Sequence, residues 1–113
     1  MPFIRVTTNK KIEECNADFM RMEFGICIGA IEGKSEDWLM LEFKGEAMMA
    51  FTGVTLSCAM VEVDLFGSAK AEEKEQLTKS ICQVVNVALG IPTDRIYVRY
   101  LETDTWGFDG HNF

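Results

Sequence analysis

One segment of this chain is written twice. Gly33-Lys34-Ser35-Glu36-Asp37-Trp38-Leu39-Met40-Leu41-Glu42-Phe43 aligns with Gly90-Ile91-Pro92-Thr93-Asp94-Arg95-Ile96-Tyr97-Val98-Arg99-Tyr100 at an offset of 57 residues. Gly33 falls on Gly90, Asp37 on Asp94, Leu39 on Ile96, Leu41 on Val98 and Phe43 on Tyr100. The same offset lays Phe3-Ile4-Arg5-Val6 on Met60-Val61-Glu62-Val63. The repeated unit reads strand–helix–strand. Two such units side by side build a four-stranded mixed sheet with both helices on one face. The expected fold is therefore α/β of the α+β kind, a single domain over residues 1–113 with pseudo-repeats at about 2–44 and 58–101.

Residues 2–7 mix apolar and β-branched types and predict the first strand, broken at Thr8-Asn9. Thr8 or Asn9 is a candidate helix cap, since a short side-chain oxygen accepts a free backbone N–H there. Glu13 and Glu14 suit the positive end of the helix. Between Ile12 and Ile31, the residues Phe19, Met22, Ile26, Cys27 and Ala30 recur at helical spacing and predict the buried stripe. Gly25 and Gly29 predict a close approach of that helix to the sheet, and Gly33 is expected to end it. Trp38–Phe43 predicts a strand, Ala47–Phe51 a short strand before a loop at 52–57, and Cys58–Phe66 a further strand with alternating Val61, Val63 and Leu65. A helix over Glu72–Leu89 opens on acidic residues and buries Leu77, Ile81, Val84, Val85 and Ala88. Gly90 and Pro92 stop it. Ile96–Leu101 predicts the last long strand, followed by a glycine-punctuated tail. The sheet face away from the helices, with Met40 and Tyr97 on it, is expected to be apolar, exposed and a cause of oligomerisation.

Charge narrows the function. Eighteen Asp and Glu against eleven Lys and Arg give a net charge of −7, which repels a phosphate backbone. No basic run offsets it, so nucleic acid is an unsuitable partner. The longest apolar-rich stretch, Phe24–Ile31, is too short for a bilayer, and no membrane insertion is expected. No signal-peptide pattern opens the chain, so the expected compartment is the cytoplasm, and a secreted role requires a non-classical route. Cys15, Cys27, Cys58 and Cys82 are widely spaced, as reduced and mostly buried thiols are. That spacing does not match a zinc site, and no metal or other cofactor is expected.

The start of the chain carries the chemistry. Proline behind Met1 permits removal of the methionine, which leaves a secondary amine at the end of a strand. An α-amine titrates near neutrality, at about 7.7–8.0. Burial or a nearby cation lowers that value, and such a group is a competent general base. Read alone, Pro2 is equally a strand-initiating residue whose missing N–H costs nothing. Lys34, read alone, is a cation complementing a helix C-terminus. Phe66 and Tyr97 read as core residues, His111 as part of an exposed tail, and the Glu72–Glu75 cluster as a solvated helix start.

Taken together, the pieces resemble the macrophage migration inhibitory factor family of the tautomerase superfamily, over the whole chain. They are Met1-Pro2, Gly33-Lys34, Met49-Ala50-Phe51 with Gly53, Cys58-Ala59, Phe66-Gly67, Ile91-Pro92-Thr93-Asp94-Arg95-Ile96-Tyr97, Trp106-Gly107-Phe108 and Asn112-Phe113. The resemblance implies a homotrimer with pockets between subunits and a small aromatic keto-acid substrate. It implies an isomerase of the phenylpyruvate keto–enol or dopachrome type, active once Met1 is removed. Pro2 is then the proton acceptor and donor, and Lys34 holds the substrate's anionic oxygen. Phe66 contacts the ligand through its backbone, and Tyr97 and Arg99 come from the adjacent subunit. Trp38, Trp106, Phe108 and Phe113 form the aromatic wall. The resemblance also implies cytokine-like signalling at a cell-surface receptor; the alternative function is a receptor ligand of that kind with little or no catalysis. A third reading, a ferredoxin-like domain binding a ligand or RNA, uses the same strand–helix–strand repeat, but its RNA form requires a basic, aromatic sheet face.

Three departures qualify the resemblance. Arg99 stands where many members carry asparagine. Val61 replaces the second cysteine of a Cys-x-x-Cys starting at Cys58, so a thiol–disulfide activity is not carried over. The loop Thr52–Ser57 lacks the second glycine and the proline usual there.

Overall fold

A computed structural model describes residues 1–113. The chain runs β1 (Pro2–Thr8), α1 (Glu14–Cys27), β2 (Met40–Lys44), β3 (Ala59–Phe66), α2 (Ala71–Leu89), β4 (Ile96–Thr103), then a small hairpin of β5 (Gly107–Phe108) and β6 (His111–Asn112). The four long strands form one mixed sheet in the order β2-β1-β3-β4. β1 runs parallel to β2 and antiparallel to β3, which runs parallel to β4. The repeat is thus real in three dimensions, and its offset is kept closely. Short 3₁₀ turns at Glu36–Trp38 and Thr93–Arg95 occupy equivalent places before β2 and β4. Gly33 and Gly90 both have positive φ, +80° and +70°, a region that glycine enters without a Cβ clash.

The core lies between sheet and helices. Alternation sends Ile4, Val6, Val61, Val63 and Leu65 to the helix side, where they meet Met20, Phe24 and Ile28 of the first half and Leu77, Ile81, Val84 and Val85 of α2. The stripe expected on α1 is rotated from this. Met22 and Ile26 are 56% and 70% exposed, whereas Met20 and Phe24 are fully buried. Phe19, Cys27 and Ala30 lie at the border of the core. The run Phe24–Ile31 is apolar all round, so periodicity there fits two faces; Phe24 stacking 6.2 Å from Phe43 settles which one turns inward.

Other expectations change in detail. Thr8 and Asn9 cap no helix. Thr8 belongs to β1 and donates its hydroxyl to the Cys58 carbonyl at 2.7 Å, while Asn9 bonds the backbone at Thr55, Leu56 and Cys58. The cap of α1 is Glu13, whose N–H donates to Asn16 Oδ1. Gly33 does not end α1, which stops at Cys27 and continues only as a 3₁₀ turn over Ile28–Ala30. Gly25 makes room for the Glu36 side chain rather than for the sheet, and Gly29 faces open space. Trp38 sits in a 3₁₀ turn before β2, and Ala47–Phe51 forms no strand, only a bridge from Phe51 to Val54. Arg95 holds that loop by donating to the carbonyls of Phe51, Leu56 and Ser57. The cysteines are all free, but only Cys58 is buried, and Cys15 is exposed. No helix is long and apolar enough to cross a membrane.

The face away from the helices departs most from expectation. Met40 and Tyr97 are exposed on it as expected. Between them, however, one cross-strand row reads Glu42–Arg5–Glu62–Arg99, alternating in sign over all four strands. Ion pairs join each step, at 2.8 Å, 3.4 Å and 3.0 Å. The surface is a charged ladder between two mixed rows, Met40–Phe3–Asp64–Leu101 and Lys44–Thr7–Met60–Tyr97; opposite charges directly across strands are favourable and like charges are not.

Candidate active site

Pro2 opens β1 opposite Leu65 and is buried. Met1 prolongs the pairing, its carbonyl accepting the Phe66 N–H at 3.1 Å. With Met1 attached, the Pro2 nitrogen is an amide and has no proton to exchange. The Met1 amine shows what this corner does to a base. Its pKa is lowered from 8.0 to about 6, first by burial and then by the charge and hydrogen bond of Lys34.

Lys34 is placed by a tight turn closed by its own N–H on the Ile31 carbonyl at 3.0 Å. Its ammonium donates to the Phe66 carbonyl at 2.8 Å, so it bridges the turn to the end of β3. Glu73 steadies the other side of that turn. Its carboxylate accepts the N–H groups of Glu32 and Lys70, both at 2.9 Å, and these bonds hold its pKa below the usual carboxylate range. Glu73 is thus a bridge, not only part of a solvated helix start.

Aromatic side chains close the corner from the C-terminal side. Trp38 meets Phe108 edge to face at 5.1 Å, Phe108 stacks on Phe113 at 6.3 Å, and Phe113 reaches Phe66 at 6.0 Å. The tail is held in place by the β5–β6 hairpin and by the Phe113 N–H on the Trp106 carbonyl. Beside it opens a cavity of about 470 Å³, lined in part by Met1, Pro2, Phe3, Trp38, Trp106 and Phe108. Pro2, Lys34, Phe66, Trp38, Trp106, Phe108 and Phe113 therefore gather at one corner of one chain.

Tyr97 and Arg99 do not join them. The row through Pro2 crosses Leu65 and Glu102, while Arg99 pairs with Glu62 and Tyr97 with Met60. At about 3.3 Å per residue, Arg99 lies roughly 10 Å and Tyr97 roughly 16 Å along the sheet from that row. Arg99 is engaged by Glu62 at 3.0 Å. Tyr97 packs edge-on to Phe51 at 4.9 Å, beside a separate apolar cavity of about 120 Å³.

A family model described as macrophage migration inhibitory factor (MIF) matches residues 1–113. The chain belongs to the macrophage migration inhibitory factor family. Curated members similar to it include the factor of Xenopus laevis and that of Rattus norvegicus, each 23% identical over 115 residues, covering 100% of this chain and 99% of the relative. Among solved structures, Leishmania major MIF2 superposes with a TM-score of 0.94 at 28% identity, covering 100% of this chain and 97% of the other. The MIF-like protein of Entamoeba histolytica superposes with a TM-score of 0.87 at 20% identity, covering 99% and 98%, and supports the fold alone.

Within the family fold, the two acidic residues that line the cavity, Asp37 and Asp64, were not among the site residues expected from the sequence. Asp64 had a signal: it stands two positions before Phe66 on the same strand and so shares its face. Asp37 had none, since its placement depends on the 3₁₀ turn before β2.

Proposed function

We propose that this member of the MIF family is a tautomerase of the phenylpyruvate or dopachrome type, with Pro2 as the proton carrier once Met1 is removed. The observation that carries the reading is that Pro2 lines a cavity walled by aromatic side chains, at a corner where burial and Lys34 lower the pKa of the adjoining Met1 amine. A neutral secondary amine takes the proton from the carbon next to the substrate's keto group. The electron pair left behind moves onto the keto oxygen, and the ammonium of Lys34 stabilises that developing charge. The protonated Pro2 then returns the proton to the oxygen, which completes the keto–enol exchange without any external reactant. Apolar walls favour the neutral amine before the transfer and hold an aryl ring during it.

The chain also assembles, in this reading, as a homotrimer whose neighbouring subunit supplies Tyr97 and Arg99 to the Pro2 corner. Their distance from Pro2 within one chain supports that arrangement, and a monomer by light scattering would remove it. A cytokine-like role at a cell-surface receptor is proposed from the relatives' name alone; its test is receptor binding after the Pro2 cavity has been blocked.

Pro2→Gly, processed like the parent, tests the mechanism. A primary amine then replaces the secondary one, and the strand start loses its fixed φ. Enol–keto conversion of phenylpyruvate is expected to slow by about tenfold or more, given that a positioned general base contributes ~10²–10⁴. Equal rates in both proteins would rule Pro2 out as the base.

A further inference from the structure

Behind Lys34, a single carboxylate ties two segments together. Glu73 is the third residue of α2, and a glutamate in that place ordinarily takes the N–H of the cap residue. It does so here, accepting from Lys70 at 2.9 Å. The helix start needs only that one oxygen. The other oxygen accepts the Glu32 N–H, 41 residues back in the chain and also at 2.9 Å. Glu73 makes no ion pair, so both oxygens are given to backbone, and both bonds lie within one chain.

The joined segments are the two that set Lys34. Glu32 belongs to the turn Ile31–Lys34, where Gly33 has φ +80° and the Lys34 N–H closes on the Ile31 carbonyl. Glu73 makes the one side-chain hydrogen bond to that turn's backbone. Lys70 ends the loop that leaves Phe66, whose carbonyl accepts the Lys34 ammonium at 2.8 Å. Glu102 holds the same loop by accepting the Ala69 N–H at 2.6 Å, but it does not reach the turn. Without Glu73 the loop keeps a side-chain tether and the turn keeps none. Resting on the tautomerase reading, we infer that Glu73 is a positioning residue for the reaction: by fixing the spacing between the Lys34 turn and the Phe66 loop, it fixes where the Lys34 ammonium stands. It touches neither the substrate nor the reacting atoms and acts through Lys34, whose charge is useful only where the oxyanion develops.

The test reads Lys34 through the Met1 amine, whose pKa of about 6 owes part of its lowering to that lysine, and it needs no catalysis. In the chain that keeps Met1, Glu73→Ala is expected to move the amine midpoint, followed by NMR, upward toward the ordinary value of about 8. Loss of a carboxylate charge alone acts the other way, because it removes an attraction for the ammonium. Glu72→Ala removes the same charge from an exposed neighbouring position and is expected to give no rise. In a Lys34→Met background Glu73→Ala is expected to add nothing, the non-additivity of two residues that act as one. In the Met1-free chain, kcat/KM for phenylpyruvate at its high-pH plateau is expected to fall ~10-fold in Glu73→Ala and by less than about twofold in Glu72→Ala. An unmoved or lowered midpoint in Glu73→Ala, an equal rise in Glu72→Ala, a rise that persists without Lys34, or unchanged turnover beside an active parent overturns the inference. A raised midpoint in a chain whose parent turns over no phenylpyruvate would instead count against the tautomerase reading and leave the placement of Lys34 by Glu73 standing.

Discussion

Phenylpyruvate turnover is expected to fall by ~10²–10⁴-fold when Met1 is left in place, compared with the same chain beginning at Pro2. The reason is position more than basicity. The retained Met1 amine is itself a good base, with a pKa of about 6 beside Lys34. It stands one residue further along the strand, roughly 3.3 Å away by strand geometry. Misplacement of a reacting group by about 1 Å can already cost ~10²-fold. The Pro2 nitrogen, meanwhile, is an acylated amide and cannot accept a proton. Blocking removal of Met1, confirmed by intact mass, should therefore silence the proposed tautomerase activity while the far-UV dichroism and melting temperature stay close to those of the processed form. Comparable turnover in the two forms would show that a low-pKa amine anywhere in this corner suffices, or that the base lies elsewhere.

Phe24→Ala should cost about 3–5 kcal/mol of stability. Phe24 is fully buried on α1 and stacks 6.2 Å from Phe43 of β2, so truncation opens a cavity at the junction of helix and sheet. At about 4 °C or more per kcal/mol, the melting temperature should drop by roughly 12 °C or more. Ile26→Ala provides the contrast. Ile26 is 70% exposed, and its truncation should change stability by no more than about 0.5 kcal/mol. Similar losses at both positions would mean that α1 is rotated from the orientation described here.

That pair of residues also shows how far the amino-acid sequence could be read. The repeat was legible because its markers, such as Gly33 with Gly90 and the alternating strands after each, are local properties that survive at a fixed offset. It carried the four-stranded sheet, the two helices on one face and the place of Pro2. The orientation of α1 was not legible, because Phe24–Ile31 is apolar on every side and only contact with the sheet chooses the buried face. The charged ladder Glu42–Arg5–Glu62–Arg99 was hidden for a related reason: each residue is an ordinary alternating polar position until the register of four strands aligns them. In the site, Lys34 and the aromatic tail came from a family resemblance, and their convergence on Pro2 follows from the turn at Ile31–Lys34 and the β5–β6 hairpin. Asp37 became visible only with the cavity it lines, whereas Asp64 shares the strand face of Phe66.

The proton chemistry assigned to Pro2 is tested most directly by titrating its nitrogen and its activity together. In the Met1-free chain labelled with ¹⁵N-proline, the Pro2 resonance reports protonation, and kcat/KM for the proposed phenylpyruvate turnover reports the base of the free protein over the same pH range. Burial and Lys34 lower the pKa of the Met1 amine; if they act alike on the Pro2 amine one residue further in, its midpoint should lie below the ordinary α-amino value of about 8. The rate should rise with pH through that midpoint, as the ammonium becomes the neutral base, and fall away on the acid side. Lys34→Met, by removing a cation that disfavours the ammonium, should move the Pro2 midpoint upward. Coincident midpoints for resonance and rate are the predicted result; a rate that is flat through the Pro2 titration, or that follows some other group, would contradict the account.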